Sequence, residues 1–455
     1  PTFVPVAYGE RRRFGILRES YLLTVRLFNC VTLEEALFSE DGTLRADAKT
    51  RRRLIRLLAA LLRRMHDDGI YHQDLHPGNF LVETLPSGEK RIHLLDLHRA
   101  SLKPTLSLKD RIKSLAQFNM FASISLGIGE RLLFFNSYFG EDEPWKNERR
   151  NLLALIDKRT RIMRWRLWRS REARCLYNNK YFMRLRFENL DGFARRQEWK
   201  GEIAHLLLTR DLAKSGATLI KDSRSKSLWA KEVMIQGAHR TLFIKHYRRK
   251  RGWQAIKYLC RRSQALRSWA GAYAIQIRNV NAVNAIAAFE DRRAMHFLGD
   301  AYLLTDKIPS VENLADALAK LAGPSPETSM ARRDLLRDLA LFFRRIHSLG
   351  IYHGDTKATN ILVGSGRAGR RALYLTDLDF VRTKLRLQRR NVLRNMAQLN
   401  GSIRDLSHAG IWDRRYFLRA YLGASRRGEL RPTWEAIARR TGKNFGKRKR
   451  RFLTT

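Results

Sequence analysis

One group of residues occurs twice in this chain in a single register: Tyr71, His72, Asp74, Asn79 and Asp96, then Tyr352, His353, Asp355, Asn360 and Asp377, each pair 281 positions apart. No gap is needed between His66 and Asp96 or between His347 and Asp377. The same offset aligns Tyr21-Leu22-Leu23-Thr24 with Tyr302-Leu303-Leu304-Thr305, and Ala116, Gln117 and Asn119 with Ala397, Gln398 and Asn400. One register held over about a hundred residues describes two copies of one structural unit. Turn chemistry alone places Asp and Asn between short strands. It requires neither a histidine two residues ahead nor a carboxylate 22 residues behind, and here both recur.

Around the first motif the pattern predicts a helix over 51–66, a turn at Gly69, a short strand over 80–82, a Pro86-Ser87-Gly88 turn and a strand over 92–95 that ends at Asp96. The second copy repeats the order, with strands at 361–363 and 373–375. Kinase-type phosphoryl transfer needs a carboxylate beside the acceptor hydroxyl. It also needs an amide oxygen and a second carboxylate that hold Mg²⁺ on the nucleotide phosphates. Asp-x4-Asn, an apolar strand and a further Asp supply all three.

The strings Tyr71 to Val82 (YHQDLHPGNFLV) with Leu94 to Ala100 (LLDLHRA), and Tyr352 to Val363 (YHGDTKATNILV) with Leu375 to Phe380 (LTDLDF), resemble the lipopolysaccharide core kinases of the Kdo/WaaP group, within the protein-kinase-like superfamily. The resemblance implies that Asp74 and Asp355 are catalytic bases, that Asn79, Asp96, Asn360 and Asp377 are metal ligands, and that ATP and Mg²⁺ are the cofactors. It also implies that His72 and His353 orient the catalytic loop. The metal-binding Asp is followed by Leu-His or Leu-Asp and not by Phe-Gly, a departure from eukaryotic protein kinases. Aminoglycoside-type phosphotransferases share the Asp-Leu-His-Pro-Gly-Asn string, so the first motif alone does not choose between the two groups.

In the same register Pro1 matches Ala282, so residues 210–281 have no counterpart in the first copy, and the chain is expected to be a fragment of a longer protein. In the second copy 217–222 reads as a strand, 223–227 as a phosphate-covering loop, and 228–235 and 241–247 as returning strands. Lys245 is the candidate nucleotide-binding lysine. The loop contains no Gly, so side chains must replace the close backbone approach that glycines normally allow. The next helix, Ser263 to Ile277, contains no Glu to pair with Lys245; Arg267 or Ser268 stands in the corresponding place. Lys357 lies where kinases place a lysine that neutralises the transferred phosphoryl group, whereas the first copy has His76 there.

The expected fold is α+β, a tandem protein-kinase-like fold whose first copy lacks its N-terminal lobe. The expected domains are a truncated lower lobe at 1–140, a basic aromatic-rich connector at 141–209, and a complete kinase-like domain at 210–455 with lobes meeting near residue 300. Within the connector, the strand-like 181–188 has no repeat partner.

Charge narrows the partners. Lys and Arg total 89 against 44 Asp and Glu, a formal net charge of +45, which suits an anionic glycolipid, an anionic membrane surface or nucleic acid. Basic residues are densest at Arg159 to Arg174, Tyr247 to Trp253 and Lys447 to Arg451. The first of these holds Trp165 and Trp168, a composition suited to a membrane interface, to nucleic-acid stacking or to packing on the lobe. The resemblance favours lipid over nucleic acid. No apolar run approaches a membrane span, and Cys30, Cys175 and Cys260 are too dispersed for a disulfide framework. The leading expectation is an ATP- and Mg²⁺-dependent kinase of a heptose or Kdo hydroxyl in the lipopolysaccharide inner core, peripheral at the inner face of the cytoplasmic membrane. The alternative is a pseudokinase scaffold that binds nucleotide or anionic lipid without phosphotransfer.

Overall fold

In both copies the helix that precedes the motif carries apolar residues at helical spacing and a side-chain cap. A computed structural model describes residues 2–38, 46–140, 143–187, 189–199, 203, 212–235, 237–249, 261–292, 298–366, 371–404 and 410–452. It divides into two units, Pro1–Arg166 and Leu167–Thr455.

The first unit runs β1 (Pro5–Arg13), β2 (Ile16–Thr24), β3 (Cys30–Thr32), α1 (Leu33–Leu37), α2 (Ala48–Asp67), β4 (Ile70–His72), β5 (Phe80–Thr84), β6 (Lys90–Leu94), β7 (Ala100–Leu102), α3 (Leu108–Ser125), α4 (Ile128–Phe139) and most of α5 (Glu143–Glu172). Asp47 caps α2 by accepting from the Lys49 and Thr50 amides, and Leu54, Ile55, Leu58, Leu62 and Met65 form its buried stripe. Each such leucine contributes about 2 kcal/mol by leaving water. Helix α2 ends at Gly69, which has φ +73°, and a Cβ there would lie 2.0 Å from the Lys103 carbonyl oxygen. Only glycine fits both the backbone and the space.

The second unit contains β8 (Phe182–Phe187), β9 (Leu190–Arg195), β10 (Thr218–Ser223), β11 (Lys226–Ile235), β12 (Ala238–Tyr247), α6 (Gln264–Gln276), β13 (Ala285–Arg292) and β14 (Leu298–Asp306). These strands form one sheet in the order β10-β11-β12-β14-β13-β9-β8. There follow β15 (Val311–Asn313), α7 (Leu314–Lys320), α8 (Pro326–Ser348), β16 (Ile351–Tyr352), β17 (Ile361–Ser365), β18 (Arg371–Leu375), β19 (Arg382–Thr383), α9 (Arg389–Arg404), α10 (Ile411–Leu422) and α11 (Leu430–Phe452). From β13 onward this order repeats that of β1 through α5. Helix α8 ends at Gly350, φ +75°, where a Cβ would meet the Lys384 carbonyl oxygen at 1.8 Å.

The connector expected at 141–209 does not form a unit of its own. Leu152 and Ile156 of α5 lie in the first unit's core, and Asn119 donates to Thr160 Oγ1 at 3.1 Å while that hydroxyl donates to the Ala116 carbonyl at 3.2 Å. Asn400 and Thr441 repeat the first bond at 3.0 Å. Helix α5 is therefore the counterpart of α11. Its last turn and the strands β8 and β9 belong to the second unit, whose sheet thus starts near residue 182 and not at 210. Cys260 and residues 250–253 lie outside the described residues.

Candidate functional site

In each unit the motif sits between short antiparallel pairs. In the second, β16 pairs with β19 and β17 with β18, which brings the 353–360 loop against Asp377. His353, fully buried, joins them: its Nδ1 accepts from the Asp355 amide at 3.3 Å and its Nε2 lies 2.9 Å from the Thr376 carbonyl oxygen. Accepting at Nδ1 leaves the proton on Nε2, which donates to that carbonyl. Burial lowers the pKa of His353, and this keeps the ring neutral. His72 likewise bonds the Asp74 amide at 3.1 Å, while its Nε2 lies 3.1 Å from the carbonyl of Asp96, one residue beyond the counterpart of Thr376. Both histidines are therefore occupied in shaping the loop.

The asparagines act likewise. Asn360 Nδ2 donates to the Asp355 carbonyl at 2.9 Å and to Asp355 Oδ2 at 3.1 Å, and Asn79 Nδ2 donates to the Asp74 carbonyl at 2.8 Å. Each amide nitrogen is thereby committed, and the amide oxygen remains as a hard donor. Asp96 and Asp377 both adopt left-handed backbone, φ 61° and 57°, which Asp tolerates better than most residues. Gln117 and Gln398, aligned by the repeat, hold the loop from outside through bonds to the Gln73 and Gly354 carbonyls at 2.7 and 2.8 Å.

The units differ in what surrounds the second carboxylate. Lys245 on β12 places Nζ 2.9 Å from Asp377 Oδ1, and Lys226, at the start of β11, places Nζ 3.4 Å from Oδ2. Burial works against the Asp377 charge, but the two ammonium groups outweigh it and hold the carboxyl down at about 2. Lys357 Nζ lies 2.8 Å from Asp355 Oδ2. In the first unit Asp96 pairs with His98 of its own loop, and Asp74 has Arg99 at 3.6 Å. No strand corresponding to β12 is present among the described residues of that unit.

The glycine-free loop is the two-residue turn between β10 and β11, where Ser223 pairs with Lys226. Sequence reasoning gave Lys226 no individual role, although a cation in a loop without glycine was the available signal. Helix α6, capped by Ser263, directs Arg267 away from Lys245: Nε donates to the Asp379 carbonyl at 3.2 Å, and Nη2 lies 3.8 Å from its carboxylate. Asp377 thus takes the partner role for Lys245 that a helix glutamate fills in ordinary kinases. Trp168 is buried, with Arg278 stacked 4.5 Å over its ring, so it does not present an indole to a membrane. Among the described residues no helix is long and apolar enough to cross one.

The oxygen set formed by Asn360 and Asp377 suits a small hard cation shared with phosphate oxygens. The low pKa keeps Asp377 ionised, as such a ligand must be.

Comparison with known proteins adds the following. The sequence model of the "Lipopolysaccharide kinase (Kdo/WaaP) family" matches residues 1–131 and 226–421. A relative from Escherichia coli, "Lipopolysaccharide core heptose(I) kinase WaaP", is 32% identical over 143 residues, which are 30% of this chain and 53% of that protein. The protein of the same name from Pseudomonas aeruginosa is 29% identical over 185 residues, 39% of this chain and 63% of that protein. The chain therefore spans between half and two thirds of the length of these relatives. A solved structure of "WaaP in complex with acyl carrier protein" is 20% identical, with a TM-score of 0.38, and covers 54% of this chain and 97% of that one.

Proposed function

Because the chain belongs to the lipopolysaccharide kinase (Kdo/WaaP) family, we propose that its second unit transfers the γ-phosphoryl group of ATP to a sugar hydroxyl of lipopolysaccharide inner core or a related glycolipid. The observation that carries this reading is the contact of Lys245 with Asp377 at 2.9 Å. It links the sheet that would hold the nucleotide to the loop that would hold its metal. Asp355 accepts the proton of the acceptor hydroxyl as the oxygen attacks phosphorus and the bond to the β-phosphate oxygen breaks, releasing ADP. Lys226 and Lys245 lie against the phosphates, and Lys357 neutralises charge on the group in flight. Asn360 and Asp377 would hold Mg²⁺, which supplies charge neutralisation to the triphosphate when bound.

Heptose is the acceptor to which the named relatives point. The excess of Lys and Arg suits a polyanionic glycolipid at the inner face of the cytoplasmic membrane. We read the chain as a tandem of two kinase-like units, the second of which carries the sheet with Lys245.

A pseudokinase reading has one specific observation behind it, the absence of any glutamate in α6. ATP turnover with and without purified core acceptor separates the two. Acceptor-dependent turnover that is lost in Asp355→Asn and Lys245→Ala supports the kinase. Nucleotide binding without turnover sinks it.

A further inference from the structure

A cavity of about 980 Å³ in the second unit is lined by none of the residues assigned above to nucleotide, metal or acceptor. Its walls are the end of α5, the start and one face of α6, and the segment 379–384. It exists because α6 turns Ala270, Gly271 and Ala274 toward it, and these small side chains leave a recess.

The recess is strongly cationic. Arg169, Arg261, Arg262, Arg267, Arg382 and Lys384 line it against only Glu172 and Asp379. Both carboxylates are already committed: Glu172 pairs with buried Arg278 and accepts from Thr383 Oγ1 at 2.8 Å, and Asp379 takes Arg267 and Gln264. Arg261, Arg262, Arg382 and Lys384 have no side-chain partner among the described residues. Four unneutralised cations around one concavity repel one another and favour an anion that could bridge them. Guanidinium groups suit the paired oxygens of a phosphate.

We propose that this cavity binds a phosphomonoester or pyrophosphate group, carried either by a lipid headgroup or by a free phosphorylated ligand, at a site separate from the nucleotide. Occupancy bears on the nucleotide site through α6. A Cβ on Gly271 would meet the Leu378 carbonyl oxygen at 2.6 Å and Val381 Cβ at 3.3 Å, so the helix lies directly on the segment that follows Asp377. Arg267 ties the same helix to Asp379.

The test measures binding of inorganic pyrophosphate to the full chain carrying Asp377→Ala, which disables the nucleotide site. A parallel arm measures sedimentation of the same chain with vesicles containing phosphatidic acid. Arg262 and Arg382 are exposed, so reversing both leaves the fold intact. R262E with R382E is expected to weaken at least one probe by about tenfold or more, while R262K with R382K retains most of it at an unchanged unfolding midpoint. Dependence with pyrophosphate alone identifies a free ligand, and dependence with vesicles alone identifies a headgroup. Binding of both probes that is indifferent to the reversals overturns the proposal, as does failure of pyrophosphate and vesicles alike to protect these arginines from phenylglyoxal in the unmutated chain. None of these readouts requires phosphotransfer, so the site can stand or fall apart from the kinase reading.

Discussion

The hairpin β1–β2 and its repeat partner β13–β14 share a register and the Tyr-Leu-Leu-Thr string, yet they live in different surroundings. In β13 and β14 nearly every residue is buried, because β12 and β9 extend the sheet on either edge and α6 packs on one of its faces. In β1 and β2 nearly every residue is exposed, including Tyr8, Leu22 and Leu23, as is Phe14 in the turn between them, and the two strands form a sheet of their own among the described residues. Similar strand sequences thus specify a hairpin in both places, while burial depends on the neighbours that other segments provide. The contrast extends to the chemistry. One of those neighbours, β12, carries Lys245, so the unit with the covered hairpin is also the unit whose second carboxylate is paired across the site.

This comparison can be broken most directly at the carboxylates. Asp355→Asn is expected to lower acceptor-dependent phosphotransfer by about 10²–10⁴-fold, whereas Asp74→Asn leaves it unchanged; steady-state rates at saturating ATP decide, and equal losses would show that the units are not functionally distinct. Next come the hairpins. Leu304→Ala should cost the second unit about 2–5 kcal/mol and Leu23→Ala less than about 0.5 kcal/mol, read from denaturant unfolding of the two variants. A large loss for Leu23→Ala would mean that β1–β2 is covered in solution.

Acid should weaken both units alike. Burial lowers His66 to about 4 and His347 to about 3, while the unfolded forms take up protons near 6.5. Below 6.5 the unfolded state binds more protons than the folded one, so each histidine's contribution is complete above that pH and is lost as pH falls toward its folded value. Between pH 7 and 5 the loss is about 2 kcal/mol per histidine. It should appear as a falling unfolding midpoint whose slope shallows in His347→Gln. A smaller loss, about 1–2 kcal/mol, is expected for Thr160→Val and for Thr441→Val, each removing a hydroxyl that bonds an aligned asparagine and a backbone carbonyl. Matching values would support the pairing of α5 with α11.

Much of this was legible beforehand. The strands at 80–82 and 361–363, the helix after Ser263 and the strand bearing Lys245 all lie where apolar periodicity and turn residues put them. In 141–209 a helix over 152–171 is legible from the sequence, but its place as the last helix of the first unit is not. The buried Ile156 and Thr160 match Ile437 and Thr441 at the same offset of 281, but the arginine-rich surface around them masks the repeat of a helix that contributes only a narrow buried stripe. The strand-like 181–188 found no partner in the repeat because its partners are β9 and, through it, β13. Pairing between strands distant in sequence leaves no local trace.

The sequence by itself determined the order of elements, the paired Asp, Asn and Asp sets and the excess of positive charge, because each rests on local spacing or on composition. Only the tertiary structure decided that Asp377 takes Lys245 and Lys226, that Gln117 and Gln398 brace the loops, that Trp168 is buried, and that four cations meet in one recess. Those outcomes depend on which side chains long-range packing brings within a few ångströms, and neither periodicity nor composition encodes that distance.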